Sequence, residues 1–487
     1  MTARKATPKA RRANTATTRR PAQSSSGSEF PTFEEANEVG AADVTPGVVA
    51  AVGAALRVPT GRFERAARWG LLTGGLAAGF IGEGVRRVAS GATMGYSELA
   101  FNDANAKRLL KSLGRMRGAA MKLGQALSME MEGLVPPAFA EVLAALQASG
   151  NTMSDAQLHR VLGQAWGKGW RSRFEFFEEK PFASASIGQV HRARTVKGVE
   201  LAIKVQFPGV ASSIGADLDN LVSLFRMTGL VPADYDLTPL VSQLRTQLEG
   251  ETDYLREAAN LSRYADLLAD NEDIVVPRPV ASLTTRHVLA MNFVTGVPIS
   301  DLWNSDVSQA RRNRIAGLVV RTVLRELFEF GFMQSDPNFG NYLVDGGRLV
   351  CLDLGSAIEI EPVVQGRVRE LIRLAREGEQ AALVEAFRQW GWVGNEPEDL
   401  VRPIAELMVL VTEPLRTRGV YDFGRSDLTE RARELGLDLV FRRGMRRPPP
   451  PEMVFVNRKL GGSFLLCAKM GAQLRVSEMT ELHLPAK

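Results

Sequence analysis

Four residues between positions 204 and 353 of the chain have the types and the spacing to hold a triphosphate and a hard metal ion: Lys204, Asp336, Asn341 and Asp353. Lys204 stands in the alternating run Leu201-Ala202-Ile203-Lys204-Val205-Gln206-Phe207. A strand lysine of this kind can neutralise the α- and β-phosphates of a nucleotide. Asp336 and Asn341 bracket the loop Asp336-Pro337-Asn338-Phe339-Gly340-Asn341, five positions apart, and Asp353 follows in Leu352-Asp353-Leu354-Gly355. An amide oxygen from Asn341 and a carboxylate from Asp353 suit Mg²⁺, which takes oxygen ligands and keeps several from the phosphates. Asp336 would be the base or the group that orients the nucleophile. Singly, the lysine reads as an edge-strand charge and Asp-x-Gly as a turn. In this order, with D-x-x-x-x-N between them, they read as the parts of an ATP site.

Such a lysine needs a carboxylate partner on a helix. The acidic stretch Glu249-Gly250-Glu251-Thr252-Asp253-Tyr254-Leu255-Arg256-Glu257 supplies one, and Glu257 is the expected partner. A solvated acidic face is the plain alternative. The segment before Lys204 runs Ala183-Ser184-Ala185-Ser186-Ile187-Gly188. A glycine-rich phosphate loop would carry three glycines here, and this one carries Gly188 alone. Alanine and serine restrict φ, so a stiffer loop is expected; a simple hairpin turn is the alternative. The four histidines, His159, His191, His287 and His483, have no metal-ligand spacing, and no zinc site is assigned.

The elements that would position these groups follow from pattern and composition. The chain has 487 residues, 45% hydrophobic and 24% charged, enough for two or three domains. Net charge is +5, but residues 1–28 carry seven Arg and Lys and no acid, so the remainder is −2. The positive charge is a tail rather than a nucleic-acid platform. The basic segment 1–28 has almost no large apolar group, and residues 1–45 read as a disordered tail. Residues 69–82, WGLLTGGLAAGFIG, are uncharged but only 14 long, short of the roughly 18–20 that cross a bilayer. They fit a helix lying at a membrane surface or a buried glycine-rich helix. Cys351 and Cys467 sit in apolar runs and read as buried thiols in a reducing compartment.

Ser154 is placed to cap a short helix. Short strands are expected at 199–206, 274–280 and 287–294, with one long helix over 238–269. Ile315, Leu318, Val319, Val323, Leu327 and Phe328 form an apolar helical stripe. Two strands should flank the turn Gly346-Gly347. A surface polyproline stretch is expected at 448–451.

Several of these segments resemble the UbiB/ADCK (aarF-domain) family of atypical kinases. The carrying motifs are Lys122-Leu123-Gly124-Gln125, the Ala-rich loop 183–189, Glu251-x-Asp253-Tyr254 with Glu257-Ala258-x-Asn260, and the loop from Ser335 to Asn341. Arg458-Lys459-Leu460-Gly461-Gly462-Ser463 resembles the C-terminal segment of the ubiquinone-biosynthesis branch. The resemblance runs from about residue 70 to the end. It implies an α+β, protein-kinase-like bilobal fold: a helical extension at 46–152, a small β-rich lobe at 153–295 and a larger helical lobe at 296–487. It implies ATP and Mg²⁺ as cofactors and an adenine hinge at Met291, Asn292 and Val294. Ala183, Ser184, Ala185, Ser186 and Gly188 would lie along the nucleotide. Lys122, Gly124 and Gln125 would enter the cleft against Glu251 and Asp253 and block a protein substrate.

Three departures stand out. Ser184 replaces the family's usual alanine, Asn338-Phe339 replace His-Pro in the catalytic loop, and Asn292 replaces the hinge glutamate. The implied function is ATP binding and hydrolysis in support of ubiquinone synthesis, with a lipid or quinone precursor as partner. The expected location is cytoplasmic, at the inner face of a membrane. Ubiquinone-biosynthesis proteins and a second copy of the chain are further partners left open, and no nucleic acid is expected. The alternatives are a protein kinase acting in trans and a kinase-fold scaffold without catalysis.

Overall fold

The computed structural model describes residues 152–185, 187–228, 238–304, 306–445 and 451–484. The expected tail, all but the last residue of the helical extension at 46–152, the apolar segment 69–82 and Ser186 lie outside them. The chain enters through α1 (Asp155–Trp166), where Gln157 Oε1 accepts the Ser154 N–H at 3.2 Å and so closes the first turn. Gly167, at φ +88°, ends it. Trp166 and Trp170 then pack with Phe174 and Phe177 of β1 (Phe174–Phe177).

A hairpin of β2 (Ala183–Ala185) and β3 (Gly188–Thr195) leads into β4 (Glu200–Gln206). With β6 (Val288–Asn292) these make a five-stranded antiparallel sheet in the order β1-β3-β4-β6, with β2 on β3. β4 is central, and its residues from Leu201 to Gln206 are all buried. An apolar run covered on both faces fits that place. It also means that Lys204 is no edge lysine.

Helices α2 (Val210–Thr228) and α3 (Thr238–Glu251) precede α4 (Tyr254–Leu267). The single helix expected over 238–269 is therefore broken at Thr252-Asp253. Asp253 is extended at φ −109°, and its Oδ1 accepts the Leu255 N–H at 3.0 Å. The aspartate caps a new helix instead of continuing the old one. The strand expected at 274–280 shrinks to β5 (Ile274–Val275). It leaves the first sheet and pairs parallel with β10 (Arg348–Cys351). Proline at 277 and 279 limits the strand to its start, although Pro279 still bridges to Met291.

β5 and β10 belong to a four-stranded sheet completed by β9 (Tyr342–Asp345) and β7 (Val297–Pro298). β9 and β10 form the expected hairpin, with Gly346 at φ +61° in a two-residue turn. α5 (Gln309–Arg325) buries the apolar stripe and widens into a π-turn at Glu326–Phe330. β8 (Phe332–Gln334) pairs with β11 (Ala357–Glu359). The remainder is helical: α6 (Pro362–Glu377), α7 (Gln380–Gln389), α8 (Glu398–Val411), α9 (Glu413–Arg416) and α10 (Leu428–Leu437). α11 (Pro451–Lys469) and α12 (Val476–Glu481) follow, with the small pair β12 (Tyr421–Asp422) and β13 (Gln473–Leu474) holding the C-terminal end. Of the expected polyproline stretch, Pro451 opens α11, where a missing N–H costs nothing; 448–450 lie outside the described residues. Cys351 and Cys467 are buried free thiols, and burial raises the pKa of both.

Candidate active site

Lys204 enters the site from the middle of β4, only 5% exposed. Its Nζ donates to both carboxylate oxygens of Glu257, at 2.7 and 3.0 Å, and to Asp353 Oδ2 at 2.9 Å. Glu257 lies in the first turn of α4, the helix that Asp253 caps. The break at Thr252-Asp253 thus sets the helix axis that carries Glu257 to the sheet. Tyr254, at the head of the same helix, lies with its ring 5.1 Å from the Lys204 ammonium.

Burial alone would lower the Lys204 pKa. Asp353 and then Glu257 outweigh it, so the ammonium is held well above its ordinary value. Glu257 is pushed up to about 7 by burial and by the Asp353 charge, against the pull of Lys204. Both shifts follow from one buried cation shared by two carboxylates.

Asp353 is fixed from its own turn, since its Oδ1 accepts the Gly355 N–H at 2.8 Å. The turn is tied to α4, because Asn260 Nδ2 donates to the Leu354 carbonyl at 3.0 Å. Just beyond, the Ser356 hydroxyl donates to Glu251. Glu251 is 4% exposed, so this carboxylate of the E-x-D pair contacts the chain following Asp353. Its partner Asp253 serves as the helix cap.

The loop 336–341 stands beside this turn. The Leu352 N–H donates to the Asn341 carbonyl at 2.9 Å, one residue before Asp353. Asn341 Nδ2 donates to Asp336 Oδ2 at 3.3 Å, which leaves Oδ1 as the amide atom for a cation. The unusual Asn338-Phe339 pair has its own geometry. Asn338 Oδ1 accepts the Gly340 N–H at 3.0 Å and tightens the loop, and Phe339 packs edge-on against Trp303 at 5.7 Å.

At the phosphate loop, Ala183, Ser184 and Ala185 pair with Val190, Gln189 and Gly188 in a tight hairpin. The need for glycine at 188 comes from packing. A Cβ there would collide with the Val205 carbonyl oxygen and come within 2.8 Å of the Tyr254 hydroxyl. At the hinge, Met291 is buried and Asn292 exposed. The Asn292 N–H is used by the Arg278 carbonyl (3.0 Å) and that of Phe293 by Glu200 (3.1 Å), with Val294 just beyond. Lys122, Gly124 and Gln125 lie outside the described residues. So a strand, a helix and a turn bring Lys204, Glu257 and Asp353 into one bonded cluster, and the loop carrying Asn341 and Asp336 is joined to the segment before Asp353.

The ABC1 atypical kinase-like domain family matches residues 145–387. The rat protein "Atypical kinase COQ8B, mitochondrial" is 34% identical over 428 residues, covering 87% of this chain and 80% of the relative. "Atypical kinase COQ8, mitochondrial" of Saccharomyces cerevisiae is 32% identical over 428 residues, covering 87% and 84%. The chain belongs to the UbiB/COQ8 family of ABC1-domain atypical kinases. Among solved structures, the Mycobacterium tuberculosis protein Rv3197, in its complex with erythromycin, is similar with a TM-score of 0.56 and 28% identity. That match covers 79% of this chain and 96% of the other. The α+β kinase-like fold expected from the sequence is therefore the fold of this family. The chain is an atypical kinase of the branch that supports ubiquinone biosynthesis, with a domain built to use ATP.

UbiB/COQ8 membership does not by itself point to every residue that shapes this site. Tyr254, Tyr264, Glu326, Arg458 and Lys459 are buried or half-buried around it, and none is of a type that by itself marks an ATP site. Arg458 and Lys459 stood in a quoted family segment. Tyr254 ends the motif Glu251-x-Asp253-Tyr254, while Tyr264 and Glu326 carry no local pattern, since their partners are distant in sequence.

Proposed function

We propose that this chain binds Mg-ATP between the β2–β3 hairpin and the loop 336–341, and hydrolyses it or transfers its phosphoryl group to a lipid or quinone precursor. The observation that carries the reading is the Lys204 ammonium bonded at once to Glu257 and Asp353. Lys204 holds the α/β-phosphates and Glu257 fixes the direction of the ammonium. Asp336 positions the attacking oxygen and takes its proton. Asp353 and Asn341 would hold the metal. Their donor set fits Mg²⁺: two hard oxygens, with the remaining ligands left to phosphate and water. Bound there, Mg²⁺ neutralises charge that builds on the phosphate oxygens.

In this reading residues 153–295 work as the small lobe and 296–487 as the large one, with 46–152 as an extension before them. Lys122, Gly124 and Gln125 close the protein-substrate cleft against Glu251 and Asp253. The acceptor is then water or a small amphiphile rather than a protein. Ala183, Ser184, Ala185, Ser186 and Gly188 line the phosphates, and Met291, Asn292 and Val294 hold adenine through backbone groups. The site works at a membrane surface, although no helix among the described residues is long and apolar enough to cross one.

Incubation with γ-labelled ATP tests this, with and without anionic vesicles and a phenolic quinone precursor, and in a parallel arm with a protein lysate. The reading predicts Mg-dependent label in free phosphate or in the lipid fraction, increased by vesicles. Label chiefly on lysate proteins would favour a kinase acting in trans. No turnover in any arm would favour a scaffold.

A further inference from the structure

The segment Arg458-Lys459-Leu460-Gly461-Gly462 has no part in the nucleotide chemistry above, yet one face of α11 lies against the loop 336–341. Lys459 is 1% exposed. Its Nζ donates to Gln334 Oε1 at 2.7 Å and to the Tyr342 hydroxyl at 2.9 Å. Gln334 is two residues before Asp336, and Tyr342 directly follows Asn341. One ammonium thus holds both ends of the six-residue loop.

Its neighbours on the helix meet the loop itself. Arg458 Nη2 is 3.7 Å from Asp336 Oδ1. At Gly462, three positions on from Lys459, a Cβ would collide with the Pro337 ring, so the loop packs its proline directly on the α11 backbone there.

The same lysine also faces Glu326, fully buried in the π-turn after α5, with Oε2 at 3.5 Å. Glu326 Oε1 accepts from the Tyr264 hydroxyl at 2.7 Å and from the Gln334 N–H at 3.1 Å. Among the described residues Glu326 Oε2 takes no hydrogen bond, so the Lys459 charge is what answers it. Tyr264 lies on α4, two turns beyond Glu257. A buried polar chain therefore runs from the helix that orients Lys204, through Tyr264, Glu326 and Lys459, to both ends of the loop that carries Asp336 and Asn341. A simple anchor for a C-terminal helix would require one apolar patch. This arrangement places five polar side chains in the core, at a desolvation cost that their mutual hydrogen bonds and the Lys459–Glu326 charge pair must offset.

We propose that Lys459 is a positioning residue: it clamps Gln334 and Tyr342, and so holds Asp336 and Asn341 in register with the Lys204–Glu257 pair. The proposal rests on the ATP-turnover reading above. Removing the clamp loosens the two oxygen donors without touching the phosphate lysine, so turnover suffers and nucleotide binding largely persists. Displacement by about 1 Å is enough to lose about 100-fold in rate.

The test is the double variant Lys459→Met/Glu326→Gln. Neutral residues of similar size in place of a buried pair are usually tolerated or stabilising. The expected result is a Tm close to that of the parent, ATP affinity by thermal shift within about threefold, and kcat down about 10- to 100-fold. A second readout needs no nucleotide. Amide exchange at Gly340, Asn341 and Leu352 should rise about tenfold as the loop loosens. A double variant with parental exchange at these amides and kcat within about twofold would overturn the proposal. Should the double variant fail to fold, Tyr342→Phe removes one arm of the clamp. A kcat loss of about threefold or more at parental Tm supports the clamp, and unchanged kcat rejects it. If the parent protein itself turns over no ATP, the functional reading falls, while the exchange measurement still decides whether Lys459 holds the loop.

Discussion

The Lys204 ammonium stands between two carboxylates, one of them fully buried, and this decides what its loss would do. Lys204→Ala leaves Glu257 without its cation, and breaking a buried pair costs about 3–5 kcal/mol. Glu257 can escape part of that cost by taking a proton. Its folded pKa, about 7, is above the ordinary value of about 4.5. Between those two values the folded protein holds a proton that the unfolded chain has released, so stability falls as pH rises and levels off above about 7. Without Lys204 the pKa moves higher still, and the fall extends past neutrality. The lysine's own contribution is complete below its unfolded pKa, and so is constant over this range. Denaturant unfolding should therefore show a larger stability gap between parent and Lys204→Ala at about pH 8.5 than at about pH 6. A gap that is equal at the two pH values would mean that Glu257 is not the group left exposed to the change. At this scale the sequence was informative where a residue type has one chemistry: Lys204, Glu257, Asn341 and Asp353 could be named from order and spacing. Tyr264 and Glu326 could not, because a tyrosine inside a helix or a glutamate at a helix's C-terminal end reads as ordinary until its distant partner is known.

Among the elements, the break between α3 and α4 matters most for the site. The helical pattern over 238–269 is continuous in apolar spacing, which is why one helix was expected. The cap signal of Asp253, with Glu257 in the first turn behind it, was present but outweighed by that period. Asp253→Ala removes the side-chain acceptor from the Leu255 N–H and should cost about 1 kcal/mol. Asp253→Asn keeps an equally good cap and should cost little. Thermal unfolding of the pair checks this, and equal losses in both variants would place the role of Asp253 in its charge instead. The β5 strand has a similar lesson. Ile274 and Val275 look like any small-lobe strand, and only the register with Leu349 and Val350 reveals that they join the other sheet. Pairing across the chain is set by tertiary fit, which local pattern does not encode.

Taken whole, the molecule is a kinase-like fold whose reactive groups arrive from stretches more than a hundred residues apart. Lys204 and Asp353 meet across 149 positions. Fold and family were legible because several short motifs fell in one order along the chain. The buried polar chain behind the loop was not, since Tyr264, Glu326, Tyr342 and Lys459 are scattered and become a unit only once folded. The central claim is that these distant groups form one Mg-ATP site. Thermal shift with Mg-ATP tests it most directly, because a ligand that binds only the folded protein must raise Tm, by about 2.7 kcal/mol of stabilisation at a hundred times its Kd. A clear Mg-dependent rise is expected for the parent and none for Asp353→Asn. An equal rise in both, or none in the parent at millimolar nucleotide, would contradict the claim.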